Sequence, residues 1–123
     1  MQYLKLYTIN KDLRGSFFGV TNKYTWGEIN YIETFAMVER GNHYHKSTLE
    51  LFYILEGRIN VMIYNIITKK YFKFEAKPTM IFIIDPFEVH TFKTVEDSKW
   101  INMLSHRIDE ENPDIYKYDI PKI

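Results

Sequence analysis

Short runs of β-branched and aromatic residues, each five to nine long, recur along the whole chain at positions 3–9, 16–20, 30–38, 49–55, 58–64, 71–75, 80–84 and 100–104. Residues of this kind fit a pleated, half-buried surface and predict short strands. Alternation is plain in Ile59-Asn60-Val61-Met62-Ile63 and in Phe72-Lys73-Phe74-Glu75, where every second side chain can face a core. No window of eleven residues keeps apolar positions at the spacing of a helix face, and only the polar tail over 108–116 offers a helical turn. The expected fold is all-β. Strands this short, around one core, suit a sandwich or small barrel, and a jelly roll also removes most exposed edges.

Composition limits what such a barrel can do. The 123 residues are 46% hydrophobic and 17% aromatic, enough for one real core and too few for two, so 1–123 reads as a single domain. Sixteen Lys plus Arg balance sixteen Asp plus Glu with no basic block, which argues against nucleic acid as partner. There is no cysteine, so thiolate metal sites, disulfides and Cys nucleophiles are excluded. The longest apolar run, over 79–84, is far short of the roughly twenty residues that cross a bilayer. With no basic-then-apolar leader at the start, a cytoplasmic location is the expectation, and no membrane partner is expected.

Three of the four histidines fall into one pattern: Arg40-Gly41-Asn42-His43-Tyr44-His45, then Glu50, then Gly57, then Asp85-Pro86-Phe87-Glu88-Val89-His90. On an extended strand His43 and His45 share a face about 7 Å apart, and Tyr44 must point away. The four residues between His45 and Glu50 allow a turn that returns a carboxylate to the pair, and Gly57 permits the next reversal. His90 would close the site from a distant strand. Three imidazoles and one carboxylate suit Zn²⁺, Ni²⁺, Mn²⁺ or Fe²⁺, and are too nitrogen-rich for Ca²⁺ or Mg²⁺. The predicted ligands are therefore His43, His45, Glu50 and His90.

The set His-x-His-x(4)-Glu-x(6)-Gly with a later Pro-x-x-x-His resembles the two motifs of the cupin superfamily, and so implies a cupin jelly-roll barrel. Cupins usually carry Pro-x-Gly-x-x-His; here the glycine is missing and Pro86 lies one place nearer the histidine. Within the cupins, Arg14-Gly15-Ser16-Phe17, the Arg40 to His45 segment, and Asp109-Glu110-Glu111-Asn112-Pro113-Asp114-Ile115-Tyr116 resemble the C-terminal cupin domain of the CapF family of bifunctional capsular polysaccharide enzymes. The likeness spans about residues 12–118. Asp12-Leu13-Arg14-Gly15 and the Arg-Gly-x-His core are similar also to dTDP-4-keto-rhamnose epimerases and dTDP-sugar 3,4-ketoisomerases.

These resemblances imply an isomerase acting on a nucleotide-linked 4-keto-6-deoxy sugar for surface polysaccharide, with zinc as the implied ion, because the ketoisomerases usually carry Gln near the Glu50 position. His43 and His45 are the implied catalytic groups, each a natural base where no ion occupies its lone pair. Tyr31, Tyr53 and Lys46 are candidate proton carriers by residue type alone. Arg14 and Arg40 are expected to bind the substrate, since a guanidinium fork matches a diphosphate. A homodimer through the N-terminal strands is expected, with Arg14 able to reach a neighbouring subunit. His106 is expected not to ligate, and 112–116 to wrap the barrel. A metal-dependent cupin dioxygenase and a non-catalytic sugar-binding cupin are the alternatives the motif leaves open.

Overall fold

A computed structural model describes residues 1–121. The described residues form twelve strands: β1 (Gln2–Leu4), β2 (Thr8–Asp12), β3 (Gly15–Gly19), β4 (Glu28–Thr34), β5 (Glu39–Tyr44), β6 (Glu50–Glu56), β7 (Ile59–Asn65), β8 (Tyr71–Ala76), β9 (Ile81–Ile84), β10 (Glu88–Thr94), β11 (Ser98–Leu104) and β12 (Tyr116–Lys117). Ten of them make two five-stranded antiparallel sheets, ordered β1-β9-β6-β11-β4 and β12-β5-β10-β7-β8, while β2 and β3 pair only with each other. Among the described residues there is no helix. This is the all-β cupin jelly roll expected from the sequence.

Period-two patterning decides what lies between the sheets. Phe52 and Ile54 on β6, Ile59, Val61 and Ile63 on β7, Phe82 and Ile84 on β9, Phe92 on β10 and Trp100 on β11 meet in one buried cluster. Phe52 lies 5.2 Å from Trp100 and 4.7 Å from Phe92, ring centre to ring centre. Each such side chain contributes about 1.5–3 kcal/mol by leaving water. The alternate residues Leu51, Tyr53, Ile81 and Ile83 face the other way, into a second cluster covered by Leu4, Leu6, Val20 and Trp26. Aromatic rings thus fill one part of the barrel, and the polar residues of the same inward rows, Glu50, Asn102 and His90, occupy the rest.

Three sequence expectations change. The run over 30–38 ends as strand at Thr34; Met37 has φ 62°, and Phe35 to Val38 form an exposed turn into β5. The run over 3–9 is split between β1 and β2. The 108–116 tail makes no helical turn. Pro113 lacks a donor and biases its predecessor towards extended backbone, and β12 then adds to β5 by pairing Tyr116 with Tyr44 and Lys117 with His43. Gly57, with φ 94°, turns β6 into β7 as anticipated.

Candidate metal centre

Strand pairing assembles the site from three places. β5 and β10 are neighbours in one sheet, with His43 opposite His90, and a shift in register at His90/Thr91 sets Thr91 opposite Gly41. Gly41 has φ 104°, and a Cβ there would run into the carbonyl of His90. The glycine of the Arg-Gly-x-His segment is therefore a steric requirement for bringing His43 and His90 together. From the facing sheet, β6 opens with Glu50 directed inwards. His45 lies just past the end of β5, at the start of the turn that leads to Glu50.

One ligand atom from each of His43, His45, Glu50 and His90 lies within 4.8 Å of every other. His90 Nε2 is 3.1 Å from His43 Nε2 and 3.1 Å from Glu50 Oε1, and His45 Nε2 is 3.2 Å from the same oxygen. Each ring's other nitrogen faces a main-chain carbonyl: His43 Nδ1 that of Gly41 at 3.3 Å, His45 Nδ1 that of Asp114 at 2.6 Å, His90 Nδ1 that of Glu88 at 3.1 Å. A carbonyl oxygen only accepts, so each Nδ1 is the donor and each Nε2 of a neutral ring turns a lone pair inwards. Three lone pairs and a carboxylate oxygen then converge with no donor among them. Only a cation, a proton or a metal ion, relieves that arrangement, and the donor set fits a borderline divalent ion.

Glu50 is buried, yet its carboxyl is held well below the usual range. Burial alone would raise it; the hydrogen bonds and charges of His45 and His90 outweigh that. His43 is pushed down to about 4, first by burial and then by the charge of neighbouring His90. His45 moves the opposite way: burial would lower it, but pairing with Glu50 raises it above the ordinary imidazole value. His43 is therefore neutral at pH 7 with a free lone pair, and where no ion is bound the pairing of His45 with Glu50 favours a proton between the two.

The sequence reading missed Asn102 and Asn30. Asn102 is buried and donates to Glu50 Oε2, while Asn30 Nδ2 gives one bond to Asn102 Oδ1 at 2.8 Å and another to Glu28 Oε2 at 2.8 Å. This chain of amides occupies one oxygen of Glu50 and leaves Oε1 for the histidines. The only signal was polar residues at inward positions of apolar strands, Asn102 in Trp100-Ile101-Asn102-Met103-Leu104. A buried amide at such a position must have a partner.

The other candidates fall elsewhere. Tyr44 points out of the barrel, as alternation requires, and stacks on Tyr116 at 5.4 Å. Tyr31 pairs across from Ile101, which pairs with Tyr53, so both tyrosines lie on the sheet face opposite Asn102 and Glu50. Lys46 carries its ammonium over the Tyr116 ring, 4.2 Å from its centre, on the outer surface. None of the three proton-carrier candidates reaches the cluster. Arg40 sits opposite Phe92 on the inward row, and its Nε donates to Thr34 Oγ1 of the facing sheet at 3.0 Å, spanning the barrel's open edge. Arg14 is at the tip of the β2–β3 hairpin, its guanidinium bound to Asp12 at 2.7 Å and its side chain 91% exposed. His106 is exposed and outside the cluster. A groove of about 370 Å³ opens beside His45 between the 46–48 turn, Leu104, His106, Arg107 and Tyr116.

Residues 10–116 match the family described as the polysaccharide biosynthesis C-terminal domain. The chain is 27% identical over 112 residues to a UDP-2-acetamido-2,6-beta-L-arabino-hexul-4-ose reductase of Pseudomonas aeruginosa, covering 88% of this chain and 30% of that protein. It thus spans less than a third of the length of this curated relative. Among solved structures it superposes on the capsular polysaccharide assembling protein CapF of Staphylococcus aureus with a TM-score of 0.71 at 19% identity, covering 96% of this chain and 34% of that one. On the dTDP-4-dehydrorhamnose 3,5-epimerase of Bacillus anthracis the TM-score is 0.78 at 16% identity, over 94% and 76% of the two chains. The 3,4-ketoisomerase QdtA of Thermoanaerobacterium thermosaccharolyticum, solved with TDP-4-keto-6-deoxyglucose, gives 0.76 at 16% identity over 94% and 85%.

Proposed function

Because this chain belongs to the polysaccharide biosynthesis C-terminal domain family, we propose that it is a metal-binding cupin that epimerises or isomerises a nucleotide-linked 4-keto-6-deoxy sugar. The observation that carries this reading is the convergence of three imidazole nitrogens and one carboxylate oxygen within 4.8 Å at the polar part of the barrel. The proteins of similar fold named for a dehydrorhamnose epimerase and a ketoisomerase support the substrate class.

His43, His45 and His90 would hold the ion through Nε2 and Glu50 through Oε1, with zinc the first expectation. When bound, such an ion polarises the ketone oxygen and makes the hydrogen on the neighbouring carbon removable. Asn102 keeps Glu50 Oε2 engaged, so that the carboxylate presents one oxygen only. The rings of Phe92 and Phe52, centred 5.5 and 6.3 Å from that of His90, make the floor apolar, which strengthens every charge interaction above it. His43 is the least buried of the four and so the one most open to a substrate. Without an ion its neutral imidazole is a general base, and His45 with Glu50 holds a proton beside it. Loss of the proton and its return on the other face gives an epimer; return at the adjacent oxygen-bearing carbon, through the enediol, gives a ketoisomer.

Arg40, at the open edge on the inward row, is the proposed anchor for the diphosphate. Arg14 serves the same end only from a second copy, and the exposed Ile9, Leu13, Phe17 and Phe18 of its hairpin favour a homodimer.

The test is incubation with UDP- and dTDP-linked 4-keto-6-deoxy sugars in D₂O, read by NMR, together with metal analysis. The expected result is deuterium on the carbon next to the ketone, with about one divalent ion per chain that His45→Ala largely loses. Failure of every such sugar to exchange, with each of Zn²⁺, Ni²⁺, Mn²⁺ and Fe²⁺ supplied, overturns the reading. Oxygen consumption with iron bound points instead to a dioxygenase.

A further inference from the structure

Three of the four cluster residues lie within strands, and His45 does not, for β5 ends at Tyr44. Its own carbonyl accepts from Phe87 N–H at 2.7 Å, which fixes the backbone but leaves the ring free to turn. What orients the ring comes from 69 residues away, where the Asp114 carbonyl takes the Nδ1 proton at 2.6 Å. The same residue's carboxylate folds the turn that joins His45 to Glu50. Its Oδ1 accepts from Lys46 N–H at 2.8 Å, and Oδ2 from Ser47 N–H at 2.9 Å, Thr48 N–H at 3.0 Å and the Thr48 hydroxyl at 2.9 Å. These donors outweigh the partial burial of Asp114 and keep it ionised. One aspartate in the C-terminal strap thus meets four donors from three consecutive residues of the connecting turn, as well as the ring at its head.

Beyond Asp114 the strap is stapled down: β12 pairs with β5, Tyr118 N–H donates to the Asn42 carbonyl at 3.0 Å, and Tyr118 stacks on Tyr64 at 6.0 Å. The strap therefore holds Asp114 from its C-terminal side, while Asp114 holds the ligand turn. Resting on the metal-centre reading above, we propose that Asp114 is a positioning residue of that centre, setting the direction of the His45 ring and the path from His45 to Glu50. It touches no ion itself. Groups that orient a ligating imidazole through its second nitrogen typically change metal affinity about 10- to 100-fold when altered.

Asp114→Asn keeps the size of the side chain and the main-chain carbonyl, but sets an amide N–H₂ against backbone donors of the 46–48 turn, so that the turn, and with it the contact of that carbonyl with the His45 ring, must shift. Asp109→Asn, on the same tail, alters a carboxylate that caps only Glu111 N–H at 3.0 Å and serves as control. Zn²⁺ affinity measured against a chromophoric chelator is expected to fall about 10- to 100-fold in Asp114→Asn and to stay unchanged in Asp109→Asn. A second readout needs no metal: proton NMR of the chelator-treated chain, in which the His45 Nδ1–H is protected from solvent exchange in the wild type and exchanges rapidly in Asp114→Asn. Unchanged affinity, an equal fall in both variants, or a protected His45 proton in Asp114→Asn overturns the proposal. If the wild-type chain takes up no metal, the metal reading fails by itself, and proton exchange alone decides the role of Asp114.

Discussion

Each imidazole of the cluster gives one nitrogen to a carbonyl and the other to the interior, so its behaviour with pH depends on what fills the interior. In the ion-free chain the contribution of Glu50, whose pKa is lowered, is complete above about 4.5 and lost as pH falls through the depressed value. That of His45, whose pKa is raised, is complete below about 6.5 and lost as pH rises through the raised value. The proton bridge therefore supports the ion-free fold best between those limits, and a metal ion must displace it. The rise in melting temperature on adding Zn²⁺ is expected to be small at pH 5 and to grow steadily towards pH 8. A rise of constant size across that range contradicts the assignment. The four converging residues were legible in the spacing His43-x-His45-x(4)-Glu50 with His90. Asn102 and Asp114 were not, because nothing local distinguishes an amide or carboxylate that answers a distant partner from one that meets water.

At the level of elements, the site depends on a strand pair that one residue makes possible. The β5–β10 ladder brings His43 opposite His90 only because Gly41 leaves room for the His90 carbonyl and accepts φ 104°. Gly41→Ala is expected to destabilise the chelated protein by about 1–3 kcal/mol, the usual cost of such a backbone conformation. It should also weaken Zn²⁺ binding, because the ladder must shift to admit the methyl group. Urea unfolding and chelator competition measure the two effects, and a variant as stable as wild type refutes the close approach. Alternation predicted the inward row Ile59, Val61 and Ile63 of β7 correctly. The run of β-branched and aromatic residues over 30–38 placed Phe35 to Val38 in a strand, where the chain instead turns to cross between sheets, since such a run carries no signal for where a sheet ends.

For the molecule as a whole, one part is left without cover in a single chain. Among the described residues the β2–β3 hairpin pairs with no other strand, an isolated hairpin is marginal in water, and Leu13 and Phe17 stand in solvent, as do Ile29 and Tyr31 of the edge strand β4. The chain is expected to run as a dimer of about twice 14.9 kDa in light scattering at micromolar concentration, and Phe17→Asp to shift it to monomer without changing its far-ultraviolet circular dichroism. A wild-type monomer at those concentrations removes the hairpin as an interface and leaves Arg14 without a site to serve. The sequence by itself determined the all-β class, the barrel and the identity of four residues whose polar atoms converge, because side-chain period and residue spacing are local properties that a strand converts directly into direction. Only the tertiary structure decided that Tyr31 and Tyr53 face away from the cluster, which oxygen of Glu50 meets the histidines, and that the carbonyl of an aspartate 69 residues from His45 meets its ring. Those outcomes rest on hydrogen bonds between residues brought together by packing, and distance along the chain says nothing about them.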